Sequence, residues 1–229
     1  MKNSLKLIGI DTSSVACSVA ISDGENVFER HIEQPRKHTQ LLIPMVNEVL
    51  KESKLALTDL DAVVLGNGPG SFIGMRIAAS VSQGLAHGAG LDVIPVSSLS
   101  AVAAEALDAS EENYIAVAQD AHMNEVYLGL YVRDKFNKPK SLVNEYLQEQ
   151  GIIEFFASQN QNFLTAGQGW KSYPELARSN SKWICGQSHI LYPRATWLLA
   201  LADISAAIKP QNIQPAYLRQ KVAELPSNK

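Results

Sequence analysis

One pattern that occurs twice sets the strongest limit on what this chain can fold into. "LIGIDTSSVACSVAI" is an apolar strand ending on Asp11, then a polar turn, then a second apolar strand. "YIAVAQDAHMNEVYLGLYV" restarts the same pattern at Tyr114, with Asp120 in the corresponding place. Further along each unit, "VVLGNGPG" and "FLTAGQGW" run an apolar strand into a G-x-G turn. The aspartates and the glycine turns are separated by nearly the same length of chain, so the likeness is one of pattern, not of individual residues. At 229 residues the chain accommodates two modest lobes.

Each unit predicts antiparallel strands followed by alternating helices and strands. Leu5–Ile10, Ala16–Ile21 and Val27–Ile32 read as a meander, with Asp23-Gly24 as a hairpin turn. In "HTQLLIPMVNEVLKES" the pairs Leu41/Leu42, Met45/Val46 and Val49/Leu50 recur at helical spacing. Thr39 is the candidate cap there, and Pro44 predicts a kink or a late start. A short helix capped at Thr58, a strand over 62–66, a helix over 73–86, a strand in "LDVIPVSS" and a serine-capped helix follow. The expected fold is α/β, two-lobed and duplicated, with mixed sheets covered by helices. That is the layout of the actin, sugar-kinase and Hsp70 superfamily (ASKHA, RNase H-like). Residues 1–100 form the first lobe, with a helix over 193–208 packing back on it. Residues 101–192 form the second lobe, and 209–229 form a tail.

Little in the chain offers independent chemistry. The glycine loop lacks the lysine of a phosphate-binding P-loop, and its spacing is not that of a dinucleotide fingerprint. Its N–H groups could hold an anion, or its glycines could only permit a tight turn. The turn after Asp11, "DTSS", carries no glycine with which to wrap a phosphate. Asp11, Thr12, Ser13, Gly68 and Gly70 are therefore read as a vestigial or shared nucleotide site. None of the five histidines pairs with another at i, i+4, which leaves no metal site; no catalytic residue is assigned. The net charge is −3 and no basic stripe stands out, so nucleic acid is not expected to be gripped by this chain alone. The basic residues Arg219 and Lys221 read as a solvated tail. Cys17 and Cys185 lie in apolar surroundings and read as buried free thiols of a reducing compartment. No apolar run is long enough to span a membrane, so a cytoplasmic protein is expected.

The helix after the glycine loop carries two ridges. Ile73, Ile77, Val81 and Leu85 form one, and Gly74, Ala78 and Ser82 form the other. The large residues are expected to attach the helix to its sheet. The small ridge is then left for a partner, with Leu41, Met45 and Val49 supplying apolar bulk beside it. On that reading a bulky charge at Ala78 costs association more than folding; the alternative is a fully internal helix pair.

In order along the chain, "IGIDTSSVACSVA", "HTQLLIPMVNEVL", "GNGPGSFIGMRIA" with "SQGLAHG", "QDAHMNEVY", "YPRATWLLALA" and "PAYLRQKVA" resemble the bacterial TsaB (YeaZ) family. Each piece alone is weak and the ordered set is specific. The resemblance implies a part in making N6-threonylcarbamoyladenosine at position 37 of tRNAs that read codons beginning with adenine. It implies that the transfer is done by a paralogous subunit, TsaD, whose helix carries a two-histidine metal motif, and that the ATPase TsaE is a third member. A chain of this family is then a scaffold that pairs with TsaD, or with a second copy of itself when alone. It binds no cofactor tightly by itself, ATP or ADP belongs at the level of the complex, and tRNA is met only through the complex. His38 stands where the catalytic paralogue begins its metal motif, and Leu42 stands in place of the second histidine. Ile73 replaces the family's usual threonine, and His122 its usual arginine. The rival readings are an independent ATPase or kinase of the same superfamily, which needs a working phosphate hairpin at Asp11, and, more weakly, a peptidase.

Overall fold

A computed structural model of the chain describes residues 5–159 and 161–218, in which two separate sheets share one topology. In the first, β1 (Leu7–Asp11), β2 (Ala16–Ser22) and β3 (Val27–Glu33) form the antiparallel meander. β4 (Ala62–Gly66) and β5 (Asp92–Val96) join it in parallel, giving the order β3-β2-β1-β4-β5. In the second, β6 (Tyr114–His122), β7 (Glu125–Arg133) and β8 (Pro139–Ser141) are antiparallel. β9 (Tyr146–Glu149) also pairs with β7, and β10 (Phe163–Ala166) and β11 (Ile184–Gln187) add in parallel. The order β8-β7-β6-β10-β11 repeats that of the first sheet, so the duplication is one of topology.

Both sheets are buried on two faces, and the two-residue period of a strand sorts side chains between layers. Ile8, Ile10, Val63 and Leu65 face α1 (His38–Ser53) and α2 (Phe72–Ala89). Leu7, Ala62 and Val64 face the other way, toward α7 (Ala195–Leu201). Ile115 and Val117 face α3 (Ser98–Asp108). Ala116 and Ala118 face α4 (Glu154–Ser158), α5 (Gly169–Ser172) and α6 (Pro174–Ser179). The chain is therefore layered, with α3 and α7 in contact between the two sheets.

The turn chemistry expected from the sequence is present at two points. Asp23 Oδ1 accepts from the Glu25 and Asn26 N–H groups at 2.8 and 2.7 Å while Gly24 takes φ +99°. Ser97 caps α3 by accepting from Leu99 and Ser100 N–H. Other expectations are corrected. α1 starts at His38 without a side-chain cap from Thr39, and Pro44 sits inside the helix on its exposed side. The turn over Leu57–Asp59 is held by Asp59 Oδ2 accepting from Ala56 N–H, not by Thr58. The helix expected over 193–208 is only Ala195–Leu201, because Ala202 is extended and Asp203 caps a separate turn, Ile204–Ala206. Cys17 is buried, whereas Cys185 is exposed, as alternate residues are on the edge strand β11. Arg219 and Lys221 lie outside the described residues.

The central layer holds a charged group in an awkward place. The first N–H groups of α7 are satisfied from the first sheet: Ala195 N–H donates to Ser18 Oγ at 2.8 Å and Thr196 N–H to Glu29 Oε1 at 3.1 Å. Arg194 Nε donates to Glu29 Oε2 at 3.1 Å. Opposite them on α3 is Glu105, whose Oε2 is buried with no hydrogen-bond partner among the described residues. Burial pushes the Glu105 carboxyl up to about 7; Arg194 and Trp197 pull it down, while Glu29 and Asp108 push it further up. A carboxyl whose folded value lies above its unfolded value favours the fold while protonated, so stability falls as pH rises from about 4.5 through about 7. The thermal midpoint of the wild type should therefore fall across that window. In Glu105→Gln the decline should flatten, and the variant should be the more stable protein above about pH 8. Parallel melting curves of the two proteins against pH check this.

Candidate functional site

Asp11 ends β1 and is buried, as are Thr12 and Ser13 after it. Its Oδ1 accepts from Ser13 N–H at 2.8 Å and from Ser13 Oγ at 2.7 Å. Its Oδ2 accepts from Ser98 Oγ at 2.6 Å, and Ser98 Oγ in turn accepts from Gly68 N–H at 3.3 Å. Burial raises the Asp11 carboxyl above its ordinary value, while the bonds from Ser98 and Ser13, and His38 nearby, lower it. Both carboxylate oxygens are thus engaged by the chain's own hydroxyls.

The glycine loop is the other half of this arrangement. Ser71 N–H donates to Ser13 O at 2.6 Å, and Thr12 Oγ1 donates to Gly74 O at 2.6 Å. A Cβ at Gly66 would strike the Asp11 carboxylate, one at Gly70 the Ser13 carbonyl, and one at Gly74 the Thr12 carbonyl. At Gly68 it would strike the backbone of Ser98. The glycines are therefore needed for close approach of chain to chain. All five residues of the expected nucleotide site do come together, but as a packed joint. Sequence reasoning missed Ser98, its most distant member; the only signal was a serine pair at the head of a helix.

Around the joint, His38 is buried and its Nε2 has no hydrogen-bond partner among the described residues. At the matching end of β6, Asp120 Oδ1 accepts from Tyr173 OH and His122 N–H, both at 2.7 Å. His122, Met123 and Asn124 then turn the chain with three consecutive positive φ values of 60°, 55° and 62°. Glu145 accepts from Tyr131 OH at 2.6 Å and also from Ser97 Oγ, which ties the second sheet to the head of α3. Among the described residues no group of three histidine, cysteine, aspartate or glutamate side chains is placed to hold a metal ion.

The expected interface residues are mostly inside. Met45, Val49, Gly74, Ala78 and Ser82 are buried, and Leu41 is half-buried against the same core. The small ridge of α2 faces inward because its first turn lies directly on the Thr12 carbonyl, where only Gly74 fits. A charge at Ala78 would therefore be buried within the chain and cost folding stability. The opposite face of α2 is outward: Ile73 is 69% exposed, and Phe72, Arg76, Ser80, Gly84 and Gly88 are exposed with it. Ile43 and Pro44 of α1 are exposed as well, and the two helices are in contact. The two departures from the family pattern, Ile73 and His122, are both exposed.

Paired sheets of one topology, each with an aspartate late in its first strand, define an actin-like α/β protein. The family model described as "TsaD: tRNA N6-adenosine threonylcarbamoyltransferase" matches residues 31–226. The Haemophilus influenzae "tRNA threonylcarbamoyladenosine biosynthesis protein TsaB" is 38% identical over 232 residues, covering 95% of each chain. The Escherichia coli protein of that name is 35% identical over 226 residues, covering 96% of each. A solved structure of YeaZ from Pseudomonas aeruginosa is 32% identical and superposes with a TM-score of 0.84 over 93% of this chain and 100% of that one. This chain belongs to the TsaB (YeaZ) family of tRNA threonylcarbamoyladenosine biosynthesis proteins.

The two kinds of glycine in α2 make opposite predictions. Gly74→Ala forces a Cβ against backbone and should destabilise the chain by about 3 kcal/mol. Gly84, by contrast, has nothing within 4 Å of where its Cβ would stand, and Gly84→Ala should stabilise by roughly 0.5–1 kcal/mol. Urea titration of the two variants reads both signs.

Proposed function

We propose that this chain acts as a scaffold without a chemical step of its own, pairing with TsaD through the outer face of α1 and α2 and supporting its threonylcarbamoyl transfer to tRNA. A second copy of the chain occupies that face when TsaD is absent, and TsaE is the third member of the assembly. On this reading ATP or ADP belongs to the assembled complex and not to the isolated chain, and the protein works in the cytoplasm. Among the described residues no helix is long and apolar enough to cross a membrane.

The observation that carries the reading is the pair Gly84 and Gly88. Both are exposed in α2 and have open space where a side chain would be. Glycine inside a helix costs about 0.5–1 kcal/mol relative to alanine, and among the described residues nothing packed beside these two repays that. A second helix laid closely along α2 does, and Ile73 and Ile43 provide apolar contact at its side. The engagement of Asp11 with Ser13 and Ser98 supports the absence of a step of its own.

Ile73→Glu should leave the circular dichroism spectrum and thermal midpoint unchanged and weaken binding of TsaD by about a hundredfold, since burying an unpaired charge costs a few kcal/mol. Gly84→Ala should weaken binding as well, although it stabilises the free chain. Capture of TsaD by both variants at wild-type strength overturns the proposal.

A further inference from the structure

The turn between β7 and β8 reads "RDKFNKPK", four basic residues and one acidic in a protein whose net charge is −3. The fold takes two of those charges out of use. Arg133 Nη2 donates to the carbonyls of Leu107, Ser110 and Glu112 at 2.8, 2.7 and 2.8 Å, closing the end of α3. Asp134 Oδ1 accepts from Phe136 and Lys138 N–H, both at 2.8 Å, and Asp134 N–H donates to Lys138 O at 2.9 Å. Asn137 turns the chain with φ 61°. The acidic residue is thereby spent on making the turn rigid.

What is left pointing outward is Lys135, Phe136, Lys138 and Lys140, all exposed. Phe136 is 69% exposed, and Lys135 Nζ lies 4.9 Å from its ring centroid. Lys138 and Lys140 are two residues apart as the chain enters β8, which puts them on one face. Among the described residues none of the three lysines forms a salt bridge; at longer range Lys135 and Lys138 act on Asp134, and Lys138 also on Asp203. Lysines on a terminal strand also serve to discourage strand pairing. That use does not explain an exposed aromatic ring on the turn beside them, where burial would have been favourable.

We infer that this hairpin is an RNA contact, in which the three lysines meet phosphates of an unpaired loop and Phe136 stacks on one of its bases. A cationic track beside an aromatic platform is what single-stranded nucleic acid requires, since every base has a face that can stack. The choice of RNA over another polyanion rests on the tRNA-modification reading above. The inference adds a direct contact where the sequence suggested contact only through the complex.

The test is fluorescence anisotropy of the full chain with a labelled unmodified tRNA transcript, with heparin as a polyanion that has no bases. Three variants are compared with the wild type: Lys135→Glu with Lys138→Glu and Lys140→Glu; Phe136→Ala; and a control of equal charge change, Lys171→Glu with Arg178→Glu and Lys182→Glu. The triple hairpin variant should lose at least about tenfold in tRNA affinity beyond the control, and its slope of log affinity on log salt should flatten by about two. Phe136→Ala should lose roughly tenfold toward tRNA and nothing toward heparin. Absence of saturable tRNA binding by the wild type overturns the inference. So does a triple variant no weaker than the control, or a Phe136→Ala effect that is absent or equal for heparin. Capture of TsaD is read on the same preparations; its failure in the wild type overturns the scaffold reading alone.

Discussion

The buried carboxylate of Asp11 joins three parts of the chain that are far apart in sequence. Through Ser13 it shapes the turn after β1, and through Ser98 it reaches the head of α3. Ser98 also accepts from the glycine loop after β4. A carboxylate in this position would be costly if left unpaired, and its three hydroxyl and amide donors offset that cost. The same donors use the oxygens that an actin-like hairpin would turn toward a phosphate and its metal. On the proposed reading, the Asp11 oxygens serve to join the strands to the helix between the sheets.

That joint decides the orientation of α2. With Gly74 against the Thr12 carbonyl, the Gly74, Ala78 and Ser82 ridge must face the sheet, although Ser82 Oγ then has no hydrogen-bond partner among the described residues. The helix is turned so that Ile73, Gly84 and Gly88 face outward instead. The outer face is thus a consequence of the inner contact; α1, which is in contact with α2, carries the exposed Ile43 and Pro44.

Much of the fold was legible in the sequence. Strand periodicity, the Asp23-Gly24 turn, the serine cap of α3 and the repeat starting at Tyr114 are local signals, and each is present in the structure. The orientation of α2 was not legible. A ridge of four large apolar residues and a ridge of three small ones can each face a sheet; in the structure the small ridge is buried, while Ile77, Val81 and Leu85 are half-buried against the same core and Ile73 is exposed. The deciding contact is between Thr12 and Gly74, 62 residues apart, and a local pattern carries no information about it. Cys185 was misplaced for a similar reason, since apolar neighbours do not reveal that their strand ends at the edge of a sheet. The residues around Asp11 do lie together, but the contacts between them depend on Ser98, which no motif marks.

The inner contact and the outer face make one account with the proposed function, in which we propose that the first hairpin forms a joint instead of a nucleotide site and fixes the helix that docks a partner. The most direct measurement is the carbon NMR resonance of the Asp11 carboxyl in the isolated chain, followed as magnesium and ATP are added. The account predicts a resonance that does not move up to millimolar ATP. A saturable shift, abolished by adding a chelator of magnesium, would contradict it.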